Sequence, residues 1–132
     1  MRKSLDLLDP LSKRIIGCAI EVHRQLGPGL LESIYEKALC IELESAGIPF
    51  EQQKELTVDY KGNSVGSFRV DILVENAIVL ELKSIERHDP IFEAQLLSYM
   101  KLGKFPLGFI LNFNTPLLKN GIKRMILQEF LQ

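Results

Sequence analysis

Two strand-length apolar runs, Val65–Val74 and Ile78–Lys83, lie close enough in the chain to pair as an antiparallel hairpin. Side chains on a strand alternate between its two faces. Phe68, Val70, Ile72 and Val74 are therefore expected on one face, with Arg69, Asp71 and Leu73 on the other. On the second strand Ile78, Leu80 and Leu82 share a face, and Val79, Glu81 and Lys83 oppose it. If both apolar rows point to one core, the connection must be of odd length, such as Glu75-Asn76-Ala77, or carry a bulge, and the register then sets Asp71 directly across from Glu81. Their β-carbons would then lie about 5 Å apart. Lys83 follows one step along the same face, roughly 7 Å from Glu81 by backbone rise.

The rest of the chain supplies what can cover such a hairpin. Asp9-Pro10 has the form of a helix start, an N-cap followed by the imino acid tolerated at the first helical position. Leu11, Ile15, Cys18, Ala19, Val22 and Leu26 then recur at helical spacing, and Gly27-Pro28-Gly29 ends the run. A second helix is expected from about Leu30, with Leu31, Ile34, Ala38, Ile41 and Leu43 as its apolar stripe and Gly47 as its C-terminal cap. From Phe50 the period changes to that of a strand: Leu56, Val58 and Tyr60 alternate with polar residues, and Lys61-Gly62-Asn63 is a turn. Asp89-Pro90 repeats the helix-start device and opens a third helix, from about Ile91 to Leu102. Leu107–Phe113 is almost wholly apolar, as a buried central strand would be, and Ile122–Leu127 forms a closing strand. The fold class is α/β with an α+β-like mixed sheet, in the order helix, helix, three-strand meander, helix, strand.

At 132 residues the chain suits a single domain, residues 1–132, with 1–28 as an N-terminal helix extension and 29–127 as the core. No apolar stretch resembles a signal peptide or a membrane span, and Cys18 and Cys40 read as buried thiols, so a cytoplasmic protein is expected. Sixteen basic residues against seventeen acidic ones give a net charge of −1. That balance argues against nucleic-acid binding through the whole surface; any such contact must come from a local patch, a metal or a partner subunit. Lys101, Lys104, Lys119, Lys123 and Arg124 form either a modest phosphate-binding patch or an ordinary charged surface.

Two facing carboxylates repel unless something positive sits between them. A hard cation such as Mg²⁺ does this well, since it takes oxygen ligands and keeps several waters. Lys83 could then orient water or stabilise charge on a phosphoryl oxygen. The plainer alternative is a solvated polar stripe, but Leu73, Val79 and Leu80 suggest a covered face, and covered charges need partners. On the second helix Glu32 and Tyr35 are three apart, and Glu36 lies one turn beyond Glu32; a surface glutamate pair near a helix N-terminus explains them equally well. On the third helix Gln95 and Tyr99 are one turn apart and fit poorly with the stripe of Ile91, Phe92, Leu96 and Met100, although border positions of an amphipathic helix look the same. His23 and His88 are isolated, and His23 reads as a packed helix residue.

Taken in order, Glu32 on a helix, Asp71 and Glu81-Leu82-Lys83 on a hairpin, and Gln95-x-x-x-Tyr99 on the next helix form a set that resembles the PD-(D/E)XK nuclease superfamily. Gly29-x-x-Glu32-x-x-Tyr35 further resembles the signature of its small GxxExxY family. The likeness runs from about Ile20 to Leu127 and includes His23–Gly29, Phe68-Arg69-Val70-Asp71 and Leu111-Asn112-Phe113. The proline that usually precedes the first aspartate is Val70 here.

This resemblance implies a restriction-endonuclease-like core and a Mg²⁺ or Mn²⁺ site at Asp71, Glu81 and the backbone carbonyl of Leu82. It also implies that Glu32 completes the shell or binds through water, that Lys83 serves the attacking water, and that Gln95 and Tyr99 line the site and contact a phosphate or base. The implied chemistry is phosphodiester hydrolysis on nucleic acid, DNA before RNA, with a homodimer or a larger complex as the assembly. The alternative is a non-catalytic nucleic-acid-binding or accessory subunit that keeps the fold.

Overall fold

The computed structural model of the protein describes residues 3–132. Its elements are α1 (Leu5–Leu26), α2 (Glu32–Ser45), β1 (Phe50–Tyr60), β2 (Asn63–Val74), β3 (Ile78–Lys83), α3 (Pro90–Gly103), β4 (Leu107–Asn112) and β5 (Ile122–Ile126). Five strands form one sheet in the order β1-β2-β3-β4-β5. The pairings are antiparallel except for β3 with β4, which run parallel across the α3 crossover. This is the mixed α/β sheet expected, with Leu107–Asn112 inside it.

Both faces of the sheet are covered. On one, Leu8, Ile15, Ala19, Tyr35, Leu39 and Leu43 of α1 and α2 pack on inward residues of the strands, among them Ile72, Val74, Ile78, Leu80, Leu82 and Leu111. On the other, Leu96 and Met100 of α3 meet Val70, Leu73, Val79 and Ile110. A strand buried on both sides cannot show polar alternation, which is why β3 and β4 read as continuous apolar runs. Gly108 lets α3 approach closely: a β-carbon there would lie 2.7 Å from the Met100 sulfur.

Three sequence expectations need correction. First, α1 begins at Leu5 with Ser4 as its N-cap, not at Asp9, and Pro10 lies inside the helix. The extra turn buries Leu8 completely, and a proline this close to the N-terminus removes a single helical hydrogen bond. Second, the buried row of α2 is Tyr35, Leu39, Cys40 and Leu43, whereas Leu31, Ile34 and Ile41 are exposed. Two apolar rows lie side by side on this helix, and docking against the sheet buries only one. The α2 terminus follows the sequence more closely: after the Ala46 cap, Gly47 takes φ +70° and Ile48 N–H bonds Leu43 O at 3.0 Å.

Third, Phe68 and Val70 do not share the face of Ile72 and Val74; they pack on the α3 side. Pairing of β2 with β3 spans only Val74↔Ile78 to Ile72↔Leu80. Beyond Ile72, β2 keeps β1 alone as a partner and rolls toward α3, where the Phe68 ring stacks on Tyr99 at 4.6 Å. The break in alternation falls at Asp71, opposite Gln53 of β1, whose φ is +51°.

Candidate active site at the strand fork

Where β3 separates from β2, side chains replace the backbone ladder. Asp71 N–H donates to Glu81 Oε2 and Leu82 N–H donates to Asp71 Oδ2, both at 2.8 Å. Extending the Ile72↔Leu80 register by one residue sets Asp71 opposite Glu81, as the three-residue connection requires. Glu75 and Asn76 in that connection adopt left-handed backbone, φ +53° and +54°. Each carboxylate therefore reaches across the fork and holds the other strand by its backbone.

Glu81 is only 7% exposed. Burial, and next the charge of Asp71, push its carboxyl up to about 8, against weaker opposing pulls from the Asp71 N–H and from Lys83. The Leu82 carbonyl faces the same fork. Backbone N–H and C=O of one strand residue point to the same side, Leu82 N–H points at Asp71, and no strand residue pairs with Leu82 on that side. Lys83 is half-buried at the end of β3 with its Nζ 4.4 Å over the Phe92 ring of α3, and it makes no ion pair with either carboxylate.

α3 starts correctly at its Asp89 cap, which accepts from Ile91 N–H at 3.0 Å. Tyr99 borders the fork: burial first, and then the charges of Glu81 and Asp71, raise its phenol. Gln95 stands exposed one turn earlier and pulls the phenol the other way. Glu32 is exposed and reaches Ser84 N–H at 3.3 Å, just beyond Lys83. The α2 carboxylate joined to the fork is Glu36: Gln53 Nε2 donates to Glu36 Oε1 at 2.9 Å and to Asp71 Oδ1 at 3.3 Å. Tyr35 faces away from the fork. Its hydroxyl donates to Gly27 O (2.6 Å) and accepts from Leu30 N–H (3.0 Å), while its ring stacks on Phe113 at 4.4 Å.

Asp71, Glu81 and the Leu82 carbonyl form an all-oxygen donor set, which suits a hard cation. The described residues contain no group of three or more His, Cys, Asp or Glu side chains placed to hold a metal. A cation at the fork would thus complete its shell from the carbonyl and water, as Mg²⁺ commonly does. The residues fit.

A sequence model of the PD-(D/E)XK nuclease superfamily matches residues 9–125. The chain belongs to this superfamily. No curated protein and no solved structure matches it. The sheet and its helices are those of a restriction-endonuclease-like PD-(D/E)XK fold, and divalent metal ions are general to such nucleases. Asp71 and Glu81-Leu82-Lys83 lie within the matched residues.

Elsewhere in this PD-(D/E)XK domain, Arg124 pairs with Asp9 at 3.0 Å and Lys123 lies 3.7 Å from Glu93, Lys101 and Lys104 lie at the C-terminal end of α3, and Lys119 lies in the turn before β5. His23 packs between α1 and the loop after β4, its Nε2 2.8 Å from Thr115 O. His88 pairs with Glu93. Both cysteines are free, and burial drives the Cys40 thiol up to about 11. No helix among the described residues is long and apolar enough to cross a membrane. The sequence missed Gln53. Its one outward trace is the unbroken polar run Glu51–Glu55, which lacks strand alternation ahead of Leu56.

Proposed function

We propose that the protein is a metal-dependent nuclease of the GxxExxY kind that hydrolyses phosphodiester bonds in DNA, with Mg²⁺ or Mn²⁺ held by Asp71, Glu81 and the Leu82 carbonyl. The observation that carries this reading is the fork itself. Two carboxylates face each other there, one buried and driven to hold its proton. Burying acidic groups against each other is costly, and a cation between them reverses the cost.

A bound divalent cation supplies Lewis acidity, making water a stronger nucleophile and offsetting negative charge that develops on the phosphate. The chain's own groups do the rest. Asp71 and Glu81 are each held by an opposing backbone amide, which fixes both carboxylates at the fork before a cation arrives. Lys83 leaves the Phe92 ring to meet the phosphoryl oxygen or to orient the attacking water. Glu32, tethered at Ser84 beside Lys83, acts on the site through water. Gln95 and Tyr99 form the α3 wall that a phosphate or base would meet.

The test pairs calorimetric Mn²⁺ titration with cleavage assays on linear, nicked and structured DNA. Glu81→Gln is expected to lose both metal binding and cleavage. Lys83→Ala is expected to keep metal affinity but lose two to three orders of magnitude in rate, about 3–4 kcal/mol. A lysine variant that cuts like the wild type removes the mechanism. A wild type that binds DNA yet cuts none under any metal supports the accessory-subunit reading instead, which the ion pairing of Lys123 and Arg124 also favours.

A further inference from the structure

Gln53 occupies a backbone conformation that strands avoid. It lies mid-strand in β1, between the pairs Gln52↔Ile72 and Lys54↔Val70, with φ at +51°. Non-glycine residues rarely hold that conformation unless their surroundings impose it, and such residues cluster at functional sites. The conformation turns the Gln53 amide onto the site: one nitrogen donates to Asp71 Oδ1 at 3.3 Å and to Glu36 Oε1 at 2.9 Å, using both of its protons. Gln52 fixes the other Glu36 oxygen at 2.7 Å. Glu36 can only accept, so it forces Gln53 to present nitrogen rather than oxygen to Asp71. The opposite oxygen of Asp71 is already held by Leu82 N–H.

We infer that Gln53 is a positioning residue for Asp71, oriented in turn by Glu36, and that this α2–β1–β2 relay aims the Asp71 carboxylate at the divalent cation. The inference rests on the metal-site reading above. It assigns work to two residues outside the superfamily's named pattern and makes Glu36, rather than Glu32 alone, the α2 carboxylate that the site depends on. Partners hydrogen-bonded behind a metal ligand commonly change metal affinity by about 10–100-fold.

The test measures Mn²⁺ affinity calorimetrically, alongside thermal melting without metal. Gln53→Gly removes the amide and relieves the left-handed backbone, so the metal-free fold should melt no earlier than the wild type while affinity falls at least about ten-fold. A purely structural glutamine would show the reverse, earlier melting with unchanged affinity. Gln53→Asn tolerates the same backbone but its shorter amide cannot span both carboxylates; it should share the loss of affinity. Glu36→Gln should weaken binding, and combining it with Gln53→Gly should add little, because the two act in series. Full additivity would show that Glu36 acts independently and overturn the relay. Unchanged affinity in both Gln53 variants, with a wild type that binds Mn²⁺, overturns the role of Gln53 alone. A wild type that binds no divalent cation overturns the metal-site reading and this inference with it.

Discussion

At the residue scale, Glu81 governs how the site responds to pH. Its carboxyl sits near 8 in the metal-free fold because it is buried against Asp71, whereas an unfolded chain returns it to about 4.5. Between those values the native state holds a proton that the unfolded state has released. This group's contribution to stability is therefore full below about 4.5 and falls as pH rises toward about 8. A cation displaces that proton, so Mn²⁺ affinity should climb with pH up to about 8 and then level off. Titrations in buffers of different ionisation enthalpy should detect the released proton below pH 8, and an affinity flat from pH 6 to 8 would contradict the assignment. The meeting of Asp71 with Glu81 was legible because an odd connection fixes which residues of the two strands stand opposite; Lys83 follows on the same strand but turns to the Phe92 ring. Gln53 was not legible, since residue type does not announce a left-handed backbone. Glu32 and Glu36 are one turn apart on the same helix, and only the approach of β1 distinguishes them.

At the scale of elements, the tyrosine of Gly29-x-x-Glu32-x-x-Tyr35 holds the α1–α2 connection rather than serving the fork. Tyr35→Phe keeps the stack on Phe113 but strips two hydrogen bonds, including the buried hydroxyl's bond to Gly27 O. It should cost about 1–3 kcal/mol in urea unfolding and leave Mn²⁺ affinity unchanged. Lost metal binding at unchanged stability would instead place the tyrosine in the site. The helix boundaries were readable where caps mark them, at Gly47 and Asp89. The inward face of α2 was not, because Leu31, Ile34 and Ile41 make as good a stripe as Tyr35, Leu39 and Leu43 until the sheet selects one.

At the scale of the whole molecule, α1 packs in the same cluster as α2 and the sheet, and its first turns anchor there through Leu8. Leu8→Ala should lose about 2–5 kcal/mol, the cost of a cavity in a packed core. A loss below about 0.5 kcal/mol, the level typical of surface changes, would mean that the first turns of α1 contribute little to the core. The last residues join the same end of the molecule, with Gln132 N–H bonded to Lys3 O at 2.8 Å.

The outer margin of β1 has a consequence for how molecules meet in a crowded solution. Its 11 residues form one border of the sheet, and a long uncovered border is a template on which a second chain can lay a strand. Gln53 breaks the regular spacing of amides there, the register shifts again between Val58 and Asp59, and Glu51, Lys54, Glu55 and Asp59 add charge along the strand. An incoming strand would lose its hydrogen-bond match twice within a few residues. The kink that turns an amide toward the carboxylates thus also guards the sheet against runaway polymerisation.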